Sequence, residues 1–122
     1  MPKVSVLMSV YNCESTVKKS IDSIIAQTFT DWEFIICDDG SKDNTYELVK
    51  ELAKDEPRIV LIKNDRNRGL SYSLNHCLEV ASGIYCARMD GDDLCDPVRF
   101  EKQVEFLDTH TEYGFVSTRM TR

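Results

Sequence analysis

No stretch of this sequence reaches the ~18 consecutive apolar residues that a membrane-spanning helix needs. Met1-Pro2-Lys3 leads straight into a strand-like segment, so no signal peptide is expected. Positive charge is scarce: 15 Lys and Arg stand against 21 Asp and Glu, a formal net charge of −6. A nucleic-acid surface needs clustered basic residues, so that class is set aside. Gly-x-Gly-x-x-Gly is missing after the first strand-like run, and so is Gly-x-x-x-x-Gly-Lys-Ser/Thr. Dinucleotide and Walker-type phosphate cradles are thereby excluded. An acidic protein with neither cradle needs a local cation to hold an anionic ligand, which points toward a metal. The five cysteines are odd in number and none is paired at Cys-x-x-Cys spacing. They read as reduced, mostly buried thiols of a cytoplasmic protein rather than a disulfide frame or zinc site.

At 122 residues there is room for one domain with a modest core. The hydrophobic fraction of 42% and charged fraction of 30% are those of an ordinary globular chain. Along it, two periods alternate. Val4 to Val10, Glu33 to Cys37, Arg58 to Lys63 and Ile84 to Met89 are apolar runs rich in β-branched residues, which predicts buried strands. Between them the period becomes helical. Val17, Ile21, Ile24 and Ile25 share a face within Glu14 to Gln27. Leu48, Val49, Leu52 and Ala53 do so in a helix capped by Asp43 or Asn44 and ending near Lys54. Leu70, Leu74, Cys77, Leu78 and Ala81 line a third helix opened by Gly69 or Ser71, with Gly83 as its stop. Pro97 suits the first turn of a last helix with Phe100, Val104 and Leu107 inward, and Gly114 to Met120 begins a fifth strand. No repeat, linker or low-complexity segment interrupts this order.

Such alternation predicts a mostly parallel α/β sheet with helices on both faces. Right-handed crossovers bring all the strands' carboxyl ends to one edge, where ligands of such sheets bind. The polar residues that end strands are therefore the candidates. Tyr11-Asn12, with Glu14 beyond, follows the first strand; Asp38-Asp39-Gly40-Ser41 follows the second; Asp90-Gly91-Asp92-Asp93 follows the fourth.

Asp90 and Asp92, two apart on a turn, can present carboxylates to one hard divalent cation, Mg²⁺ or Mn²⁺, leaving positions open for phosphate oxygens. The plainer alternative is a solvated turn whose aspartates cap the next helix. An EF-hand does not fit: Glu101 falls where its bidentate ligand belongs, but Cys95 stands where that loop needs glycine and Pro97 opens a helix inside it. Asp39 can accept a hydrogen bond from the N3–H of uracil or from a ribose hydroxyl, or simply belong to a tight turn with Ser41 or Asp43 capping the helix. Tyr11 can stack on a base and Asn12 offer its amide, or the pair can merely close the strand. Arg68 can meet a base edge or phosphate, or lie solvated. Arg88 is expected to face outward or pair with an aspartate. His76 and His110 lack the surroundings of a catalytic base or metal ligand.

The segments VSVLMSVYNCE, QTFTDWEFIICDDGSKDNT and NRGLSYSLNHCLEVASGIYCARMDGDD resemble, in order and spacing, the family 2 glycosyltransferases of GT-A fold. These include bacterial enzymes that build cell-surface polysaccharides. The resemblance implies a nucleotide-sugar donor, commonly a UDP-sugar, laid across the strand ends. Val10, Tyr11, Asn12 and Glu14 match the first donor-site segment. Asp39, with Asp38, matches the base-contacting position, and Arg68 and Gly69 match the loop that covers it. Asp90, Gly91 and Asp92 match the Asp-x-Asp element, with Asp92 as direct metal ligand and Asp90 contacting ribose or a metal-bound water. The reaction implied is an inverting displacement at the anomeric carbon onto a glycan or lipid-linked acceptor.

The family's catalytic base lies well beyond Asp-x-Asp, so residues 1–122 are expected to form the donor-binding half, with the base beyond residue 122 and the acceptor half absent. A fifth strand at an exposed edge suggests homodimerisation. Cytoplasmic location, peripheral at the inner membrane face, is the corresponding expectation. The alternatives are a nucleotide-sugar-binding module without turnover and a receiver-like signalling domain. The latter would carry acidic residues where Tyr11-Asn12 stand.

Overall fold

The structure, a computed structural model, describes residues 3–83, 85–90, 101–102 and 104–105. Four strands form one parallel sheet: β1 (Val4–Val10), β2 (Trp32–Asp38), β3 (Ile59–Lys63) and β4 (Tyr85–Asp90). Three helices connect them: α1 (Val17–Ile25), α2 (Thr45–Lys54) and α3 (Leu70–Val80). The strand order is β3-β2-β1-β4. The chain therefore winds outward from β1 through β2 to β3, then crosses back to lay β4 on the other side of β1.

Strand periodicity sorts the core into two layers. Val4, Val6, Met8 and Val10 of β1, with Phe34 and Ile36 of β2, meet Val17, Ile21 and Ile24 of α1 and Val49 of α2. The opposite face presents Leu7, Ile35 and Cys37 to Cys77 of α3, with Leu74 and Ala81 alongside. Helices thus lie on both faces, as the alternation predicts.

Several local expectations are corrected. α1 begins at Val17 rather than Glu14, because the backbone N–H groups of Thr16 and Val17 both turn back to the carbonyl of Cys13. Ile25, Leu48, Leu70 and Leu78 are not core residues; each is more than a third exposed. The fully buried residues of α3 are Cys77, as expected, and Ser73, which was not. These small side chains let the helix sit close to the sheet, and the Ser73 hydroxyl is satisfied by donating to the Gly69 carbonyl at 3.0 Å. α3 ends at Val80, so Gly83 is not its stop. Gly83 lies against β1, where a Cβ would fall 2.5 Å from the Ser5 hydroxyl and 2.7 Å from the Ser5 nitrogen. Of the expected last helix, residues 101–102 and 104–105 are helical and Val104 packs into the α1/α2 layer. Phe100, Leu107 and the fifth strand with its edge lie outside the described residues.

Candidate nucleotide site at the strand ends

The reversal of strand order falls between β1 and β4, so the crevice of the fold opens at their carboxyl ends. The sheet register puts Val10 beside Asp38 and Ser9 beside Asp90. Three of the polar sets singled out from the sequence, after β1, β2 and β4, therefore share one edge. Asp90 is placed there by its backbone; Gly91, Asp92 and Asp93 lie outside the described residues.

A cleft of about 570 Å³ opens at this edge, lined among others by Ser9, Tyr11, Asn12, Asp39, Asn67 and Gly69. Tyr11 is 41% exposed and also borders a second cleft of about 550 Å³, beside Lys42, Lys63 and Arg66. A ring at that position offers an apolar face to a planar ligand without first having to leave a core.

Asn12 adopts φ 51°, a left-handed conformation that asparagine tolerates better than most residues. The turn is held from both sides. The Asn12 N–H donates to the Ser41 hydroxyl at 3.0 Å, and the Lys42 N–H donates to the Asn12 side-chain oxygen at 2.8 Å. Asn12 thus ties the end of β1 to the β2–α2 loop. Glu14 is exposed, its N–H donating to Asp43 at 3.4 Å. Val10 turns its side chain into the core, and its carbonyl accepts from the Asp39 N–H at 2.9 Å.

The two aspartates after β2 do different work. Asp38 is fully buried, and one of its oxygens accepts the Ser41 N–H at 3.1 Å. Asp39 is 3% exposed and gathers the loop after β3. One oxygen accepts from the Asn64 amide at 2.8 Å and the Arg68 N–H at 2.7 Å. The other accepts from the Asn67 amide at 3.1 Å and the Gly69 N–H at 3.0 Å. The Asp39 carboxylate is therefore the post around which Asn64–Gly69 is wrapped. Gly40 makes the wrapping possible: its φ is 76°, and a Cβ there would lie 2.7 Å from the backbone of Arg66 and Asn67.

Arg68 joins this loop through its main chain, while its guanidinium pairs with Asp65 at 2.9 Å and lies 5.3 Å from the Tyr72 ring centroid. That hydrogen bond holds the Asp65 carboxyl below the usual carboxylate range. Asp43, whose carboxyl is also lowered by its bond from the Thr45 hydroxyl, receives the Thr45 N–H at 3.0 Å, while the N-cap position itself is held by Asn44 without a side-chain capping bond.

His76 makes a polar contact that the sequence did not predict. It is half-buried, and its Nδ1 lies 2.9 Å from the side-chain oxygen of Asn64. The buried Cys37 thiol reaches the same oxygen at 3.4 Å. The adjoining Cys77 thiol, with Ser73 and His76, pulls Cys37 below the ordinary thiol range, while its bond to Cys37 and its burial push Cys77 up. Asn64, Asn67 and Ser73 were not singled out by sequence, and His76 was weighed only as a base or metal ligand. A signal existed, since Asn64 follows β3 directly, as Tyr11 follows β1.

Among the described residues no cluster of three or more His, Cys, Asp and Glu is arranged to hold a metal.

The sequence profile of the family described as "Glycosyl transferase family 2" matches residues 5–122. The protein EpsE of Bacillus subtilis is 52% identical over 120 residues, covering 98% of this chain and 43% of that protein. The UDP-Glc:alpha-D-GlcNAc-diphosphoundecaprenol beta-1,3-glucosyltransferase WfaP of Escherichia coli is 36% identical over 109 residues, 89% of this chain and 43% of the other. Among solved structures, residues 1–349 of S. aureus TarS in complex with UDP superpose with a TM-score of 0.83 at 25% identity, over 89% of this chain and 33% of that fragment. The mannosyltransferase PcManGT of Pyrobaculum calidifontis, in complex with GDP-Man and Mn²⁺, gives 0.82 at 26% identity, over 87% and 32% of the two chains. The chain spans less than half the length of these relatives. The profile, the relatives and the GT-A fold agree: this chain belongs to glycosyl transferase family 2.

Proposed function

We propose that this chain forms the donor side of a metal-dependent glycosyltransferase and binds a nucleoside-diphosphate sugar, with UDP-sugars preferred, across the ends of β1, β2 and β4. The observation that carries the reading is the convergence of Tyr11, Asn12 and the Asp39-held loop on one cleft, at the sheet edge where the backbone of Asp90 also ends its strand. Support comes from the UDP bound to TarS and the GDP-Man and Mn²⁺ bound to PcManGT.

In this reading Tyr11 packs on the base, and Asn67 and Gly69 form the opposite wall. Asp39 acts chiefly by holding that wall, since its two oxygens already accept four N–H groups. Asp38 and Val10 shape the floor from beneath, and Glu14 and Arg68 stand at the rim. Asp92 and Asp90 would hold Mn²⁺ or Mg²⁺, which would offset the diphosphate charge and stabilise it as a leaving group. The acceptor hydroxyl of a glycan or lipid-linked sugar attacks the anomeric carbon from the far side. The bond to the diphosphate breaks, the nucleoside diphosphate departs with the electron pair, and the hydroxyl proton passes to a carboxylate supplied from beyond residue 122. The product is an inverted glycosidic linkage in a bacterial cell-surface polysaccharide, made at the cytoplasmic side of the membrane.

Calorimetric titration with UDP, GDP and TDP, with and without Mn²⁺, tests this. Wild type is expected to bind UDP best and only weakly without metal, and Asp92→Ala to lose the metal-dependent part. Binding of none of the three by wild type, or equal metal-assisted binding by Asp92→Ala, contradicts the assignment.

A further inference from the structure

We infer that His76 is a positioning residue for the donor cleft, acting through the buried amide of Asn64 on Asp39 and thence on the loop that walls the cleft. The inference rests on the nucleotide-site reading for its consequence, though not for its geometry.

Donors and acceptors fix the direction of the chain. Asn64 is 3% exposed, and its amide nitrogen lies 2.8 Å from an Asp39 oxygen and 2.9 Å from the Ser73 hydroxyl. The Asp39 oxygens are occupied as acceptors by main-chain N–H groups of Arg68 and Gly69, so the group facing them must be the Asn64 NH₂. The Asn64 carbonyl oxygen is then turned toward His76. That oxygen can only accept, so the His76 Nδ1 at 2.9 Å must carry a proton. A free imidazole has no such obligation. The proton on Nδ1 keeps the amide from flipping, and the unflipped amide presents two N–H donors, to Asp39 and to Ser73. Reversed, it would set its oxygen against the carboxylate that carries Arg68 and Gly69.

The same arrangement explains a polar set in the α3 layer. Ser73 is fully buried, accepts from Asn64 and donates to the Gly69 carbonyl, closing a ring that begins and ends at the start of α3. His76, one turn further along α3, locks this ring from outside. Thus α3 fixes the cleft wall through an amide rather than through apolar contact, and a side chain that touches no ligand sets the position of Asn67 and Gly69, which do line the cleft.

Two substitutions separate this role from simple packing. His76→Phe keeps a planar ring and removes the donor, whereas His76→Asn places an amide N–H where Nδ1 stood. Amide hydrogen exchange at Arg68 and Gly69, read by NMR, should rise about tenfold in His76→Phe, as expected when a buried acceptor is left with only the weak thiol donor of Cys37. Exchange in β1 and β2 should not change. The UDP dissociation constant should rise about tenfold in the same variant, and His76→Asn should restore both quantities to within about twofold of wild type. In wild type, long-range ¹H–¹⁵N correlations should show a proton on Nδ1.

A bare Nδ1, or unchanged Arg68 and Gly69 exchange in His76→Phe, overturns the inference. So does equal loss of protection in His76→Phe and His76→Asn. Failure of wild type to bind UDP at all would instead count against the nucleotide-site reading, and the exchange and NMR results would still decide the role of His76.

Discussion

Beneath α1 and α2 the sheet presents Val6, Met8, Phe34 and Ile36, fully buried against aliphatic side chains. Beneath α3 it presents Leu7, Ile35 and Cys37, and beyond them the packing gives way to Asn64, Ser73, His76 and Asp39 joined by hydrogen bonds. The first face gains stability from apolar area removed from water, which is non-directional and indifferent to small shifts. The second adds directional bonds among buried polar groups, which contribute less net stability but tolerate one arrangement only. The cleft wall hangs from the second face. A donor site needs that specificity of position more than it needs another few kcal/mol.

The comparison breaks most visibly on the apolar face. Phe34 is fully buried, so Phe34→Ala should destabilise the chain by about 3–5 kcal/mol in urea unfolding. The molecules that remain folded should bind UDP as wild type does, because Phe34 lies on the far side of the sheet from the loop.

On the polar face the expected balance is reversed. Asp39→Ala leaves four N–H donors without their acceptor, two of them main-chain. It should cost about 2–3 kcal/mol in unfolding while weakening UDP binding by about a hundredfold or more. A variant that loses stability but keeps its UDP affinity would show that the loop does not wall the nucleotide.

The smallest stability effect belongs to Tyr11→Ala. Tyr11 is 41% exposed, so unfolding should shift by no more than about 0.5 kcal/mol. Loss of a stacking ring should still weaken UDP about tenfold, read by the same titration.

The division between faces also explains what the sequence could say in advance. The strands and the apolar α1/α2 layer were legible, since period-2 and period-3.6 patterns are a direct record of burial in water. So was the convergence of Tyr11, Asn12, Asp39 and Asp90, because parallel strands leave their carboxyl ends no other edge. The α3 layer was legible in part: Leu74, Cys77 and Ala81 pack on the sheet as expected, while Leu70 and Leu78 do not. Hydropathy also selected Leu70 and Leu78 for the interior, but close approach of the helix required Ser73 beside Cys77 there. A buried serine is invisible to an apolar pattern when its hydroxyl is satisfied by Asn64 and Gly69. Asp39 was legible as important, but not as the acceptor of four bonds from a loop some thirty residues away. Such a network is set by tertiary geometry, and Asn64 and His76 carry no local mark of it.

The account depends above all on where the nucleotide lies. Titrating UDP with Mn²⁺ into ¹⁵N-labelled chain, and following every backbone amide, locates it directly. Shifts are predicted at Ser9, Tyr11, Asn12, Asn67, Gly69 and Asp90, at the carboxyl ends of the strands. None is expected at Lys3, Asp31 or Ser82, at the opposite ends. Shifts gathered at that opposite edge, or none near β1 and β4, would contradict the placement of the donor site.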